Sequence, residues 1–459
     1  LTASVLTYAE ALEWLYGRID YERTRPNTRT NPFRLERIAR LLDRLGSPHR
    51  RIPAIHIAGT KGKGSTAAML DSILRAAGLC TGLFTSPHLE KFEERMRVDG
   101  RLITADQLSR LVARLRDLLR DEPDANDRVP TFFEVTTLLA WMMFDELNVR
   151  IAVLETGLGG RLDCTNVCTP LVTIITSIGL DHTLILGDTI AEIAAEKAGI
   201  LKPGIPVVQG QLPEEADRVV GSRASELGCR RLVCGRDFDW QEKPVNEVQL
   251  FRKRVQHLCV ATPGETFDDL TLPLLGRHQL HNASVAVMAA SLLRESGLKK
   301  VDGAAIAAGL AETRWPLRFE IFDDQQPVII LDAAHNPDSM RAVASVLQGN
   351  EWQNRRRVLV FGASSDKDVR SMLRVILPHF DAVVLTRFLG NPRSVGPQDL
   401  EALAADFEPL DAPRCSRNTA DTPFEALQLA RNLAGPAGVV CATGSIYLAA
   451  ELRARLILR

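Results

Sequence analysis

IPAIHIAGTKGKGST, residues 52–66, is the stretch that decides the fold. Ile52 to Gly59 reads as a strand, and a Gly/Lys loop follows it up to Gly64. A helical pattern opens at Ser65 and runs to Ala77, where Gly78 supplies a stop. Strand, glycine loop and helix in this order make a phosphate cradle. Glycines let backbone amides close around phosphate oxygens, the helix start adds partial positive charge, a lysine reaches the outer phosphates, and a Ser or Thr hydroxyl can hold Mg²⁺. Gly59, Thr60, Gly62, Lys63, Gly64, Ser65 and Thr66 are therefore the candidate nucleotide-binding residues. The loop departs from Walker A spacing: the early glycine would fall at Ile57, and Gly64 follows Lys63 where Ser or Thr is usual. The alternative is a glycine-rich turn with incidental lysines.

Outward from this loop, short aliphatic runs alternate with amphipathic segments, which predicts an α/β protein with parallel strands and crossover helices. CTGLF (80–84), RIAVLET (150–156) and LVTIITSIG (171–179) read as strands, and FFEVTTLLAWMMFDEL (132–147) as a helix. Residues 236–275 differ, their alternating pattern predicting a small antiparallel sheet with one wet face. A second series of strands follows Trp315-Pro316: PVIILDAAH (327–335), RRVLVFGAS (356–364), DAVVLT (381–386) and AGVVCATGS (437–445). A chain of 459 residues is too long for one ordinary domain. We place the boundary at a hinge over 312–316, giving an ATP-binding domain over 1–314 and a smaller Rossmann-like domain over 315–459.

Carboxylates and imidazoles sit where the strands end. Glu155 closes IAVLE, and the carboxyl end of a parallel strand faces the crevice where such sheets bind ligands, so Glu155 is placed to meet the Mg²⁺ of a nucleotide on the neighbouring loop. Gly157, Gly159 and Gly160 do not form the G-x-G-x-x-G of a dinucleotide site. Asp181 and His182 follow the next strand, and Asp332 and His335 end a strand of the second domain. Clusters of this kind in two domains imply a shared cleft. Lys197, on the helix carrying Glu196 to Gly199, reads by residue type alone as a surface cation.

Hydrophobic residues at 45% and charged residues at 25% fit a globular chain and exclude disorder and fibrous repeats. The 56 Lys plus Arg against 57 Asp plus Glu exclude a surface built wholly for polyanions. That balance hides a basic stretch over 21–51, where Arg23, Arg25, Arg29, Arg34, Arg37, Arg40, Arg44, Arg50 and Arg51 face Glu22, Glu36 and Asp43. It is either a solvated face or a site for an anionic ligand. With Tyr21 and Phe33 as its aromatics it offers little for stacking nucleic-acid bases. The eight cysteines are scattered and read as reduced thiols, and Cys164 and Cys168 lack the second pair a zinc site needs. The chain starts on Leu rather than Met, which fits a trimmed start; Glu10 and Glu13 stand where a secretion signal would be apolar, and no run has the length of a membrane span. The expectation is a cytoplasmic monomer with small-molecule substrates and neither nucleic-acid nor membrane partners.

Taken in order, HIAGTKGKGST, TSPHLEKFEER (85–95), FFEVTTLLA, ETGLGGRLDCTN (155–166), TSIGLDHT (176–183), LGDTIAEIAAEKAGILKPGIP (186–206), LPLLGRHQLHNA (272–283), WPLRFE (315–320), LDAAHNPD (331–338), DKD (366–368) and GSIYLA (444–449) resemble the folylpolyglutamate synthase and dihydrofolate synthase family of the Mur ligase superfamily. The resemblance covers nearly the full chain. It implies a Mur-ligase-like ATPase domain with a variant phosphate loop, and an ATP-dependent ligase that joins L-glutamate to a folate or to dihydropteroate through an acyl phosphate. It further implies that Lys63 contacts phosphate, that Ser65 and Glu155 hold one Mg²⁺, and that Ser86 and His182 belong to a second. Asn282 and Arg318 resemble adenine-side and phosphate-side contacts, Asp332 and His335 ribose and phosphate contacts. Ser86, Pro87, His88, Asp163, Ser445 and Tyr447 match positions at the folate and glutamate ends. Lys197 matches a lysine carbamylated in many members, which reverses the surface reading and adds it to the metal and catalytic residues with Lys63, Glu155 and His182; a monovalent cation is also implied.

The chain departs from the family pattern at three points. Lys61 stands where Asn is usual, a second cation beside the phosphates; Ala333 and Leu317 replace glycines. A peptidoglycan-type Mur ligase would share the phosphate loop, but TSPHL, GLDHT and the lack of a UDP-binding domain ahead of residue 52 favour the folate branch. A nucleotide-dependent nucleic-acid-binding ATPase would rest on the basic stretch alone.

Overall fold

The computed structural model describes residues 6–20, 35–120, 129–244, 254–406 and 415–457. These fall into two compact units: one holds the residues up to 244 with Gln256–Pro273 and Gln279–Thr313, the other holds Arg254, Val255, Leu274–His278 and everything described from Arg314 onward.

In the first unit the strand that leads into the glycine loop lies inside the sheet, which is why its sequence is apolar on both faces. Among the described residues the strands are β1 (Ala54–Ala58), β2 (Thr81–Phe84), β3 (Met96–Val98), β4 (Arg101–Leu102), β5 (Ile151–Glu155), β6 (Pro170–Ile175), β7 (Val207–Gln209) and β8 (Arg231–Val233), in the order β4-β3-β2-β5-β1-β6-β7-β8. β1 runs parallel to β5 and β6, with Ile57 paired to Glu155 and to Ile174, so the carboxyl ends of three central strands are level. The helix Lys63–Ala76 packs against the helix Gly303–Glu312 so closely that a Cβ on Gly309 would lie 2.3 Å from the Ile73 Cα. That contact accounts for the glycine at 309. The expected antiparallel sheet is present as β9 (Asp239–Lys243), β10 (Gln256–Ala261) and β11 (Thr266–Leu272), with Leu258 and Val260 buried and His257 and Cys259 toward the wet face. All eight cysteines are free thiols, and burial pushes those of Cys164 and Cys168 up, which leaves them unreactive.

The basic stretch divides. Arg23, Arg25, Arg29 and Arg34 lie outside the described residues. Arg37, on the helix Leu35–Arg44, is buried and pairs with the fully buried Glu134, so it is neither a solvated cation nor a ligand contact. Glu134 also accepts the Thr131 amide in the capping box that starts the helix Phe132–Glu146, and one carboxylate thus holds two helices together. Removing either partner would strand a buried charge, so the pair is a structural pin. Arg50 and Arg51 do sit at the surface, paired with Asp43 and Asp145.

In the second unit β12 (Glu320–Phe322), β13 (Val328–Leu331), β14 (Arg357–Phe361), β15 (Ala382–Leu385), β16 (Ser416–Thr419) and β17 (Val439–Thr443) form, among the described residues, a sheet of order β12-β13-β17-β14-β15-β16. Only β12 is antiparallel to its neighbour. β17 returns between β13 and β14, so the carboxyl ends of these three parallel strands lie side by side. Leu317, the residue in place of a family glycine, has φ 57°, a left-handed conformation that costs an L side chain about 1 kcal/mol. Full burial of its side chain more than offsets this. Leu317→Gly is therefore expected to destabilise the protein by about 2 kcal/mol in chemical denaturation, because a lost buried leucine costs roughly 3 kcal/mol or more. An equal or more stable variant would show that backbone strain outweighs the packing.

Candidate functional site

Gly62 is the N-cap of the helix Lys63–Ala76 with φ 85°, and a Cβ there would strike Asn282 Oδ1 at 2.3 Å. Only glycine meets both conditions. The loop ahead of it is laced to the segment after β6. Thr60 N donates to Ser177 O at 2.7 Å and Gly179 N to the Thr60 hydroxyl at 3.1 Å. Lys61 N donates to Ser177 Oγ at 2.9 Å, while Lys61 O accepts from the hydroxyls of Thr176 and Ser177 at 2.6 and 3.0 Å. A Cβ on Gly59 would lie 1.9 Å from Thr176 Oγ1. Thr176 and Ser177 escaped a reading by chemical class because neither is ionisable; their work is to set the loop.

Lys63, the first residue of the helix after the loop, and Glu155, the last of β5, come together, with Nζ 3.9 Å from Oε1. That is too long for a hydrogen bond and close enough for each charge to stabilise the other. Glu155 is 5% exposed, and its second oxygen accepts the Ser86 amide at 3.3 Å. The segment after Ser86, whose bond to Pro87 is cis, is held at both ends: Glu94 accepts the amides of Leu89, Glu90 and Lys91, and Thr85 N donates to Arg95 O. The buried Arg95 also donates to His88 Nδ1 at 2.7 Å, which makes that nitrogen an acceptor and leaves the ring proton on Nε2, facing the Tyr16 hydroxyl at 3.5 Å. Asp163 Oδ2 accepts the amides of Gly157 and Leu158 and its Oδ1 accepts the amide and hydroxyl of Thr165, so one carboxylate ties the glycine turn after Glu155 to the turn that follows it. A Cβ on Gly157 would meet the Phe133 ring at 2.5 Å, which places that ring against the same turn.

Lys197 is 4% exposed, correcting the reading by residue type, and its Nζ donates to Gly59 O at 2.9 Å. Burial, reinforced by the positive charges of Lys63 and Lys61 and opposed by Asp181, pushes its pKa down to about 7. Lys61, expected as a cation for phosphate, donates to Asp181 Oδ2 at 2.9 Å. His182 lies beside Asp181 in a left-handed turn of φ 51°, its side chain 47% exposed. The first unit therefore gathers Lys61, Lys63, Ser65, Ser86, Glu155, His182, Lys197 and Asn282 around one loop.

The second unit has its own cluster at the strand ends. Asp332 accepts the amides of Phe319 and Ala334; burial pushes its carboxyl up, and Arg318 and these amides oppose the shift. His335 Nδ1 lies 2.9 Å from Ala333 O and so carries the proton, leaving Nε2 as acceptor. Ser445 Oγ accepts the Tyr447 amide at 3.2 Å, and the Tyr447 ring packs on Phe388 at 5.4 Å.

Among the described residues no group of three or more His, Cys, Asp or Glu is arranged to hold a metal. Mg²⁺ does not need one, since it binds through one or two carboxylates and completes its shell with water and nucleotide phosphates. The donors at the loop suit that mode: a serine hydroxyl, a single carboxylate, and the buried hydroxyls of Thr66 and Thr156 beside them, which have no hydrogen-bond partner.

Comparison with known proteins matches residues 57–290 to the Mur ligase middle domain and residues 317–446 to the Mur ligase glutamate ligase domain. The dihydrofolate synthase/folylpolyglutamate synthase of Bacillus subtilis is 34% identical over 452 residues, 98% of this chain and 99% of that one. A probable bifunctional folylpolyglutamate synthase/dihydropteroate synthase of Haloferax volcanii is 38% identical over 98% of this chain, which spans 50% of that longer relative. The folylpolyglutamate synthase of Mycobacterium tuberculosis, solved with ADP, superposes with a TM-score of 0.86 at 32% identity over 98% of both chains. Likeness at that level over both units, with the loop chemistry in place, means that the chain belongs to the folylpolyglutamate synthase and dihydrofolate synthase family of Mur ligases.

Proposed function

We propose that this protein is an ATP-dependent ligase that joins L-glutamate to the carboxyl group of a folate or of dihydropteroate, acting as a cytoplasmic monomer on small molecules. No helix among the described residues is long and apolar enough to cross a membrane. The observation that carries the reading is Lys63 facing Glu155 across 3.9 Å on a glycine loop, a cation and a carboxylate poised but not bonded to each other. A carboxylate is a poor electrophile, so the γ-phosphoryl group passes to it from ATP and ADP departs; the glutamate amine then attacks the acyl carbon, phosphate leaves, and the nitrogen loses a proton.

In this reading Gly59, Thr60, Gly62, Gly64 and Thr66 shape the phosphate cradle, Lys63 neutralises charge on the transferring group, and Asn282 serves the adenine side. Arg318, Asp332 and His335 serve phosphate and ribose, and Ser445 with Tyr447 the glutamate. Pro87, His88 and Asp163 shape the folate end. Ser65 and Glu155 would hold one Mg²⁺ and Ser86, His182 and carbamylated Lys197 a second, and these ions supply positive charge to the phosphoryl oxygens. Phosphate release measured with dihydropteroate and with tetrahydrofolate, each with and without L-glutamate, tests the proposal. Release is expected only when ATP, a pterin carboxylate and glutamate are all present. Release that ignores glutamate, or none with either pterin, overturns it.

A further inference from the structure

The two lysines of the phosphate loop are held differently. Lys63 stays 3.9 Å from its carboxylate, beyond hydrogen-bond reach, whereas Lys61 binds Asp181 directly at 2.9 Å. Asp181 uses both its oxygens: Oδ2 accepts from Lys61 Nζ, and Oδ1 accepts the backbone amide of His182 at 3.0 Å. That amide belongs to a residue at φ 51°, a left-handed conformation uncommon for residues other than glycine. His182 also begins the short turn Thr183–Leu186, and its side chain accepts no cap hydrogen bond there, so the Asp181 carboxylate supplies a polar anchor where the turn's first residue does not. The chain of contacts runs from Lys61 through one carboxylate to the backbone that aims the His182 imidazole. It ends the lacing of Thr60 and Lys61 to residues 176–179, so the loop and the His182 turn are tied at successive points.

We propose that Lys61 is a positioning residue for His182, acting through Asp181, and that Lys63 alone of the two loop lysines serves as the phosphate cation. This rests on the ligase reading of the site. Asp181 offsets the charge of Lys61 and takes one of its three N–H donors, so Lys61 adds less than Lys63 to the attraction the loop exerts on a triphosphate. What it adds is geometry: a charge-assisted bond fixes the carboxylate, and the carboxylate fixes a left-handed turn.

Lys61→Met, Asp181→Asn, their combination and Lys61→Arg test the proposal. Lys61→Met is expected to lower kcat about 30-fold while the ADP dissociation constant, measured by calorimetry, moves less than about 3-fold. Asp181→Asn should do the same, and the double variant should be no worse than the poorer single one, because both break one chain of contacts. Lys61→Arg, which still donates to a carboxylate, should recover kcat to within about 3-fold of the parent. In histidine-labelled protein, Lys61→Met and Asp181→Asn should shift the same imidazole resonance, the one that His182→Ala removes and so assigns. ADP binding weakened about 10-fold or more by Lys61→Met, or kcat losses that multiply in the double variant, would overturn it. If the parent protein proves to make no ligase product, the function proposed above fails, while ADP binding and the histidine spectra still decide the role of Lys61.

Discussion

Lys63→Ala is expected to abolish measurable ligation, a fall of at least about 10³-fold in kcat, in a protein that remains folded. The size follows from what the ammonium does in the proposed reaction. A phosphoryl group moving from ATP to a carboxylate gathers negative charge on its oxygens with little covalent help from the protein, and Lys63 is the loop cation left uncommitted by a direct bond. Stability should change little, because opposing effects meet at this position. Lys63 is the first residue of its helix, where a positive charge opposes the helix dipole and alanine is the better helix former, while its loss leaves Glu155 without that counter-charge. We expect a net change within about 1 kcal/mol of unfolding free energy, since each contribution is of that order. Circular dichroism with denaturant, run beside the phosphate-release assay, separates the two effects. Near-normal ligation by Lys63→Ala would remove the loop from the chemistry.

How much of this was legible beforehand follows from which physical signals a sequence carries. The strand, glycine loop and helix at 52–77 could be read because each has its own local pattern, whereas the central place of β1, whose AIHIA run carries a buried His56, shows only in the sheet. The antiparallel sheet showed in its alternation. The pairing of Arg37 with Glu134 could not be read, since the partners are 97 positions apart and a buried arginine carries the same letter as a solvated one. Lys197 failed the same way: residue type favours the surface, and only the tertiary contact with Gly59 O shows that the amine is inside. Asp181 was visible as a strand-end acid, but its link to Lys61 spans 120 positions and needs the register of β1 against β6. Leu317 shows the reverse limit. Its sequence context asked for glycine, and packing overrode the backbone preference.

The state of Lys197 gives the second large effect. An ordinary lysine amine is almost wholly protonated at neutral pH, whereas one with its pKa near 7 is about half neutral there, a gain of roughly a thousandfold in the form that can add to CO₂. The neutral amine forms an N–C bond to the carbon of CO₂ and releases one proton, which leaves a carboxylate where the protonated amine was a buried cation. Lys197→Ala is expected to lose about 100-fold or more in kcat and to regain part of it with added formate or acetate, which replace the missing anion. Full activity without them would end the carbamate proposal. Stability supplies a readout independent of turnover. The folded-state pKa lies below the unfolded one, so between about pH 7 and 10.5 the unfolded chain binds more protons and stability rises with pH; below about pH 7 the penalty for burying the cation is complete. In CO₂-free buffer Lys197→Met should therefore gain most over the parent at pH 7 and lose that advantage by pH 10. Bicarbonate should raise the unfolding temperature of the parent and leave Lys197→Met unmoved, because CO₂ then acts as a ligand of the folded state alone. A bicarbonate response shared by both proteins would assign it to another group.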